Sequence, residues 1–219
     1  MIGNTTGNAT GKERTIFDHA GNTIKTEDRE IRILAKYEEP LVVLLGNVLS
    51  DEECNELIEY SRERLQRSRI GEDHAVNPIR TSSGVFCEEN ETVTRIEKRF
   101  SQIMNIPIEH GDGLQVLLYI PGQEYLPHHD FFTQTSRASS NNRISTLVMY
   151  LNDVEEGGET AFPKLNLTVS PNKGMAVYFE YFYDNHELNE STLHAGTPVI
   201  KGEKWVATMW MRRQVLRSS

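Results

Sequence analysis

The pattern of apolar and polar positions divides the chain into three parts. Residues 1–36 are rich in Asn, Thr, Gly and charge, with scattered apolar positions. They are expected to form a polar N-terminal arm or an edge extension outside the core. Leu41-Val42-Val43-Leu44-Leu45 is a continuous apolar run, as in a buried strand. Ser50-Asp51-Glu52-Glu53 then reads as a capping box. Cys54, Leu57, Ile58 and Leu65 fall on one helical face, so a helix is predicted over 51–66. Val93, Ile96, Phe100 and Ile103 give a second helix, over 91–104, the same kind of stripe. From Leu114 onward the period changes to that of strands. Runs at 114–120, 144–151, 165–169, 175–179 and 204–211 are separated by turn signals at Pro121-Gly122, Gly157-Gly158, Pro171, Gly174, Gly196 and Gly202. The polar stretches 132–142 and 182–191 are expected to be loops over one barrel mouth. Helices first and many short strands afterwards indicate an α+β chain, mainly β, with a sandwich or barrel core.

Composition narrows the partners. The chain has 219 residues, with 23 Lys and Arg against 32 Asp and Glu, and a net charge of −9. Such an acidic surface repels phosphate backbones, so a nucleic-acid partner is not expected. No apolar run approaches the roughly 18 residues of a bilayer span, and no membrane association is expected. The N-terminus reads Met-Ile-Gly-Asn-Thr-Thr-Gly, without a basic segment followed by an apolar one, so a secretory signal is not expected either. Cys54 and Cys87 are the only cysteines. Two thiols without a signal fit a reducing, cytoplasmic setting. The sequons at Asn4 and Asn8 then carry no meaning.

The sharpest chemical feature is Tyr125-Leu126-Pro127-His128-His129-Asp130-Phe131. In a strand, residues two apart share a face, so His128 and Asp130 would stand side by side and His129 would point away. An imidazole and a carboxylate are two thirds of a facial triad for non-haem Fe(II), which needs a second His from another strand. Against two positive charges the protein would supply one negative charge, leaving a net attraction for an anionic chelator. Alone, such a pair also suits a solvated loop. His194, between a polar stretch and a short β-type run, is a candidate second His. Lys204 opens an otherwise apolar strand, where an ammonium is costly unless it meets an anion. A dicarboxylate held at one end by iron could place its far carboxylate there. Taken singly, a snorkelling Lys and a His in a turn explain these two as well.

Taken together, the motifs resemble a known family. Tyr119, His128-x-Asp130, Gly157-Gly158-Glu159-Thr160-x-Phe162-Pro163, Pro171-x-x-Gly174, His194-Ala195-Gly196-x-Pro198-Val199 and Lys204-Trp205 follow one another in the order of the prolyl 4-hydroxylases, Fe(II)/2-oxoglutarate-dependent dioxygenases of the collagen-type, short microbial form. Arg80-Thr81-Ser82-Ser83-Gly84-x-Phe86 resembles the family's Arg-x-Ser stretch. The likeness covers residues 40–215.

The resemblance implies a double-stranded β-helix, or jelly roll, with helices on one face. One domain is then expected over 37–219, with helical support at 50–105 and the jelly-roll core at 113–215. It implies that His128, Asp130 and His194 are the iron ligands and that Lys204 binds the 2-oxoglutarate C5 carboxylate. Tyr119, Thr160 and Trp210 match positions around the cosubstrate. Tyr125 and Arg143 resemble peptide-contacting positions. The implied reaction is proline 4-hydroxylation coupled to oxidative decarboxylation of 2-oxoglutarate, with ascorbate as reductant. Asp130 favours hydroxylation over halogenation, since Ala or Gly there would admit a halide. A proline-rich or collagen-like peptide is the expected substrate, and a homodimer is expected from the microbial members. The competing readings are an oxygenase acting on another residue or a free amino acid, and a non-catalytic jelly roll that binds peptides. His19, His74, His110, His129 and His186 have no motif support and are expected to be ordinary surface or loop residues. Cys54 is expected to be a core thiol.

Overall fold

The computed structural model describes residues 15–70, 75–76 and 79–217. His74 and the sequons lie outside the described residues. The elements, in chain order, are β1 (Thr23–Lys25), β2 (Glu30–Glu38), β3 (Leu41–Gly46), α1 (Asp51–Arg62), β4 (Gln66–Arg67), β5 (Arg69–Ile70), β6 (Ala75–Val76), β7 (Ser83–Phe86) and α2 (Glu91–Met104). There follow β8 (Gln115–Tyr119), β9 (Tyr125–His128), β10 (Arg143–Tyr150), β11 (Glu156–Gly157), β12 (Thr160–Phe162), β13 (Leu167–Val169), β14 (Ala176–Glu180), α3 (His186–Ser191), β15 (His194–Gly196), β16 (Val199–Lys201) and β17 (Lys204–Arg212).

Two antiparallel sheets face each other as a jelly roll. The larger runs β1-β2-β3-β14-β10-β17-β8-β7-β4, and the smaller runs β13-β12-β15-β9. The central strands β3, β14, β10 and β17 of the large sheet are buried on both sides, which is why they read as continuous apolar runs, whereas β2 and β4 toward its edges are mostly exposed. Along β17, Trp205, Ala207, Met209 and Met211 pack toward the helices, while Lys204, Val206, Thr208 and Trp210 face a cavity between the sheets. The same alternation sends Leu147 and Met149 of β10 to the helix side and Val148 to the cavity.

The helices form where the pattern predicts them. Ser50 and Glu53 close the capping box in both directions, with Glu53 N donating to Ser50 Oγ at 3.2 Å and Ser50 N to Glu53 Oε2 at 2.9 Å. α1 ends at Arg62, four residues short of the expected end. α2 spans 91–104 as expected, capped by Asn90 and stopped by Asn105 in the left-handed region. Its Val93, Ile96, Phe100 and Ile103 are buried against the sheet.

Arg99 is the buried charge of this layer, its side chain 1% exposed. It donates to Val48 O and to both oxygens of Glu53, and pairs with Asp28 of the β1–β2 turn. Arg99→Ala would leave Glu53 with only the 3.4 Å pairs to Arg29 and Arg95 and take the cation from Asp28, so a loss of about 3 kcal/mol in denaturant-measured stability, the low end for breaking a buried pair, is expected.

Three expectations need correction. Residues 15–36 are not outside the core: Phe17, Ile24 and Ile31 are buried in it. The segment is pinned by Glu180, a buried carboxylate that accepts from Phe17 N and Thr15 Oγ1, each at 2.8 Å. Three well-placed apolar residues on the sheet's edge suffice there, too few to stand out from the polar background. Residues 182–191 are not all loop, because Asn185 accepts from Glu187 N and starts α3. The strand expected at 165–169 begins only at Leu167, because Asn166 takes a left-handed φ of 51° after a 3₁₀ turn.

Candidate active site

Strands β9 and β15 are antiparallel neighbours, and His128 stands directly opposite His194 in their register. Asp130 lies two residues beyond the end of β9, so the expected single strand holds only His128. The chain bends after it and returns the carboxylate to the same place. His128 Nε2 is 3.5 Å from Asp130 Oδ1, and His194 Nε2 is 3.5 Å from Asp130 Oδ2. One ligand atom from each of the three residues lies within 4.8 Å of the others, the sole such cluster among the described residues.

Each imidazole is fixed by its own backbone. His128 Nδ1 sits 2.9 Å from Leu126 O, and His194 Nδ1 sits 3.0 Å from Thr192 O. A carbonyl can only accept, so Nδ1 carries the proton and Nε2 presents its lone pair to the centre. Burial, and next the nearby His128, push His194 down to about 4, so it is neutral at pH 7. Burial alone would raise Asp130. The neighbouring His194, the hydrogen bond and charge interaction with His128, and Arg143 behind them outweigh it and hold the carboxyl below its usual range. Two imidazoles and one carboxylate are the donor set of the non-haem Fe(II) triad, which leaves open positions on the metal. The residues fit that ion. His129 points away, as expected, toward Glu190 at 3.2 Å.

The three groups open onto a solvent-accessible cavity between the sheets. Lys204 lies on its wall, 4% exposed. Among the described residues no carboxylate comes within ion-pair distance of its ammonium. Burial pushes Lys204 down to about 8, partly countered by Glu159. Its register partner Tyr119 holds a ring face 5.4 Å from the ammonium. The Lys204 stem passes over Gly158, where a Cβ would come within 3.2 Å of Cδ. Gly157 precedes it with φ +78°, and a Cβ there would lie 2.3 Å from Pro198 O. Thus Gly157 is required by the close approach of the Pro198–Ile200 backbone, and Gly158 by its own left-handed φ of +72° beside the lysine stem. Thr160 lines the same cavity and accepts from Tyr150 OH at 2.8 Å, which leaves its own hydroxyl proton for a ligand.

Tyr125 lies flat on His128, with ring centroids 3.4 Å apart. Trp210 lines the cavity, and its indole N–H has no partner. Arg143 is not on the cavity wall. It pairs with Asp112 at 2.7 Å and lies over the Trp210 ring at 4.1 Å, backing the aromatic surface. Two wall residues went unread as site residues in the sequence. Thr208 is four residues from Lys204 on the same face of β17, so strand alternation alone would have found it. Arg80 is 5% exposed, sits 5.0 Å over Tyr125, and has an unpartnered Nε. Its Arg-x-Ser context was the available signal.

Known proteins bear the same signature. Residues 114–212 match the sequence profile of the 2OG-Fe(II) oxygenase superfamily. Probable prolyl 4-hydroxylase 10 of Arabidopsis thaliana is 36% identical over 225 residues, covering 91% of this chain and 77% of its own. The chain belongs to the prolyl 4-hydroxylase family. Probable prolyl 4-hydroxylase 8 of the same plant is 39% identical over 78% of this chain and 68% of its own. Among solved structures, the viral collagen prolyl hydroxylase of Paramecium Bursaria Chlorella virus-1 in its 2-oxoglutarate complex superposes with a TM-score of 0.63. It is 30% identical and covers 78% of this chain and 95% of its own. A Pseudomonas putida prolyl-4-hydroxylase, at 21% identity and TM-score 0.56, shares the fold. The chain is therefore a 2-oxoglutarate- and iron-dependent oxygenase with the jelly-roll architecture of that family.

Proposed function

We propose that this protein hydroxylates peptidyl proline at C4, with His128, Asp130 and His194 holding Fe(II) and Lys204 holding the far carboxylate of 2-oxoglutarate. The observation that carries the reading is the buried, unpaired ammonium of Lys204 on the wall of the cavity that the triad opens into. An ammonium desolvated without a counter-ion is a standing cost that an anionic cosubstrate removes. Bound together, Fe(II) and 2-oxoglutarate would supply, with O2 as the oxidant, the oxidative decarboxylation to succinate and CO2, one oxygen atom going into succinate and the other into the substrate C–H bond. The chain's own groups bind and orient. Tyr119 and Thr160 line the same cavity as Lys204, with apolar wall from Val206 and Leu117.

The substrate end of the cavity is rich in donors. Arg80 Nε and Trp210 Nε1 are both buried without partners. A prolyl peptide suits them, because the imide nitrogen of proline donates nothing and its carbonyls only accept. Aromatic faces at Tyr125 and Trp210 match the low-entropy polyproline II strand of a proline-rich chain. The viral relative is a collagen prolyl hydroxylase, and we extend a collagen-like or proline-rich substrate to this chain. Ascorbate as reductant, a homodimeric state and a cytoplasmic location complete the reading. Among the described residues no helix is long and apolar enough to cross a membrane.

The test measures succinate from 2-oxoglutarate with Fe(II) and ascorbate, with and without a (Pro-Pro-Gly)n peptide. Peptide-stimulated succinate with one added oxygen on proline is the expected result. Succinate indifferent to the peptide would remove collagen-like chains as substrates. No succinate from folded, iron-loaded protein would overturn the enzymatic reading.

A further inference from the structure

Behind Asp130 runs a polar chain that the reaction as derived leaves unused. Thr146 Oγ1 donates to Asp130 Oδ2 at 2.7 Å. The same Oγ1 lies 2.7 Å from Tyr181 OH. Thr146 is fully buried and Tyr181 is 4% exposed. The threonine hydroxyl has one proton, and the ionised carboxylate must receive it. Tyr181 is therefore the donor to Thr146, and the order Tyr181 to Thr146 to Asp130 is fixed by proton count.

The placement gives this relay its purpose. Each histidine is braced by a backbone carbonyl two residues before it, Leu126 within β9 and Thr192 just ahead of β15. Asp130 lies past the end of β9 and has no such local brace for its carboxylate. Its hydroxyl partner comes from across the barrel, from β10 of the large sheet. Tyr181 follows the end of β14, the neighbour of β10, and packs between Phe131 and Phe179. The one ligand outside a strand is thus tied to β10, a strand paired on both sides within the large sheet.

We propose that Thr146 and Tyr181 are positioning residues that occupy Asp130 Oδ2 and leave Oδ1 for the metal. This rests on the reading of the triad as an iron site. A carboxylate gripping with both oxygens would take a coordination position that a chelating cosubstrate and oxygen need. A hydroxyl committed to one oxygen disfavours that grip and sets the plane of the carboxylate.

The experiment compares Thr146→Val, Thr146→Ser and Tyr181→Phe by Mn(II) calorimetry on metal-free protein, beside thermal melting in chelator. Thr146→Val is expected to weaken Mn(II) by about 10–100-fold, the range for losing an outer-shell partner. Thr146→Ser, which keeps the hydroxyl, should recover most of that affinity. Tyr181→Phe should lose a smaller part. A melting temperature that falls while Mn(II) affinity stays at the wild-type value would overturn the proposal and leave a structural role. Should Thr146→Val fail to fold, Tyr181→Phe decides, since it keeps the ring and removes only the first donor. Unchanged Mn(II) affinity there would overturn the relay. Wild-type protein that took up no Mn(II) would instead overturn the iron-site reading, and the relay with it.

Discussion

His128→Ala is expected to abolish 2-oxoglutarate turnover and Mn(II) or Fe(II) binding while the protein melts within a few degrees of the wild type. The two halves of this result have different causes. His128 ends a four-residue strand, and its side chain is 13% exposed. Its ring touches Tyr125 and His194 at the wall of an open cavity, and no part of the main core rests on it. Removing it therefore costs little packing. The centre, by contrast, has three protein ligands and no spare. Asp130 and His194 alone would leave the ion held by two groups. The loss should exceed the roughly 10–100-fold that follows when only an outer partner is removed. Asp130→Ala should match it in metal binding and also leave Thr146 without its acceptor. Calorimetry and succinate release read the first half, and circular dichroism melting the second. Unfolding of His128→Ala would make the residue structural. Retained metal binding would sink the triad.

Much of this site was legible because its signals are local. His128-x-Asp130, the Gly157-Gly158 pair and Lys204 at the head of an apolar strand each depend on a few neighbouring residues. α2 was readable to the residue, because its stripe repeats every three to four positions and Asn105 ends it in a left-handed conformation. What escaped reading depends on long-range partners. The segment around Phe17 is polar by composition, and its burial depends on Tyr178 and Glu180, far along the chain. Strands of two or three residues, such as β12 and β15, have no period to detect, and they exist because β9 and β13 flank them. α3 is a single turn and a half that an Asn cap makes possible. The Thr146–Tyr181 relay was invisible for the same reason. In the sequence Thr146 is one more β-branched residue in a strand, and only the closing of the barrel brings it to Asp130.

Lys204 should make 2-oxoglutarate binding sensitive to alkaline pH. Burial sets its ammonium at about 8 in the free protein, and a carboxylate partner binds only the charged form. Both carboxylates of 2-oxoglutarate are ionised throughout this range. The cosubstrate KM is therefore expected to be flat below pH 8 and to rise by up to about tenfold per pH unit above it. Stability should move the opposite way. Between about pH 8 and the ordinary lysine value of 10.5 the unfolded chain holds a proton that the folded chain has lost, so this group adds stability as pH rises. At neutral pH the ammonium is still the major form in the folded protein, but it is held there less favourably than in the unfolded chain. Lys204→Met should separate the two effects. It removes one partner of a buried charge pair in the complex, a loss of about 2–5 kcal/mol, which is a rise in KM of about 30-fold to a few thousandfold. It also removes a desolvated charge from the free protein, so melting at pH 7 should rise, as happens when a site is relieved of groups kept for function. Steady-state KM from pH 6.5 to 9.5 and parallel melting curves check both. A KM that ignored pH in the wild type, or a Met variant that kept wild-type KM, would place the far carboxylate somewhere other than Lys204. A variant that lost both affinity and stability would show that the ammonium is already paired in the free protein.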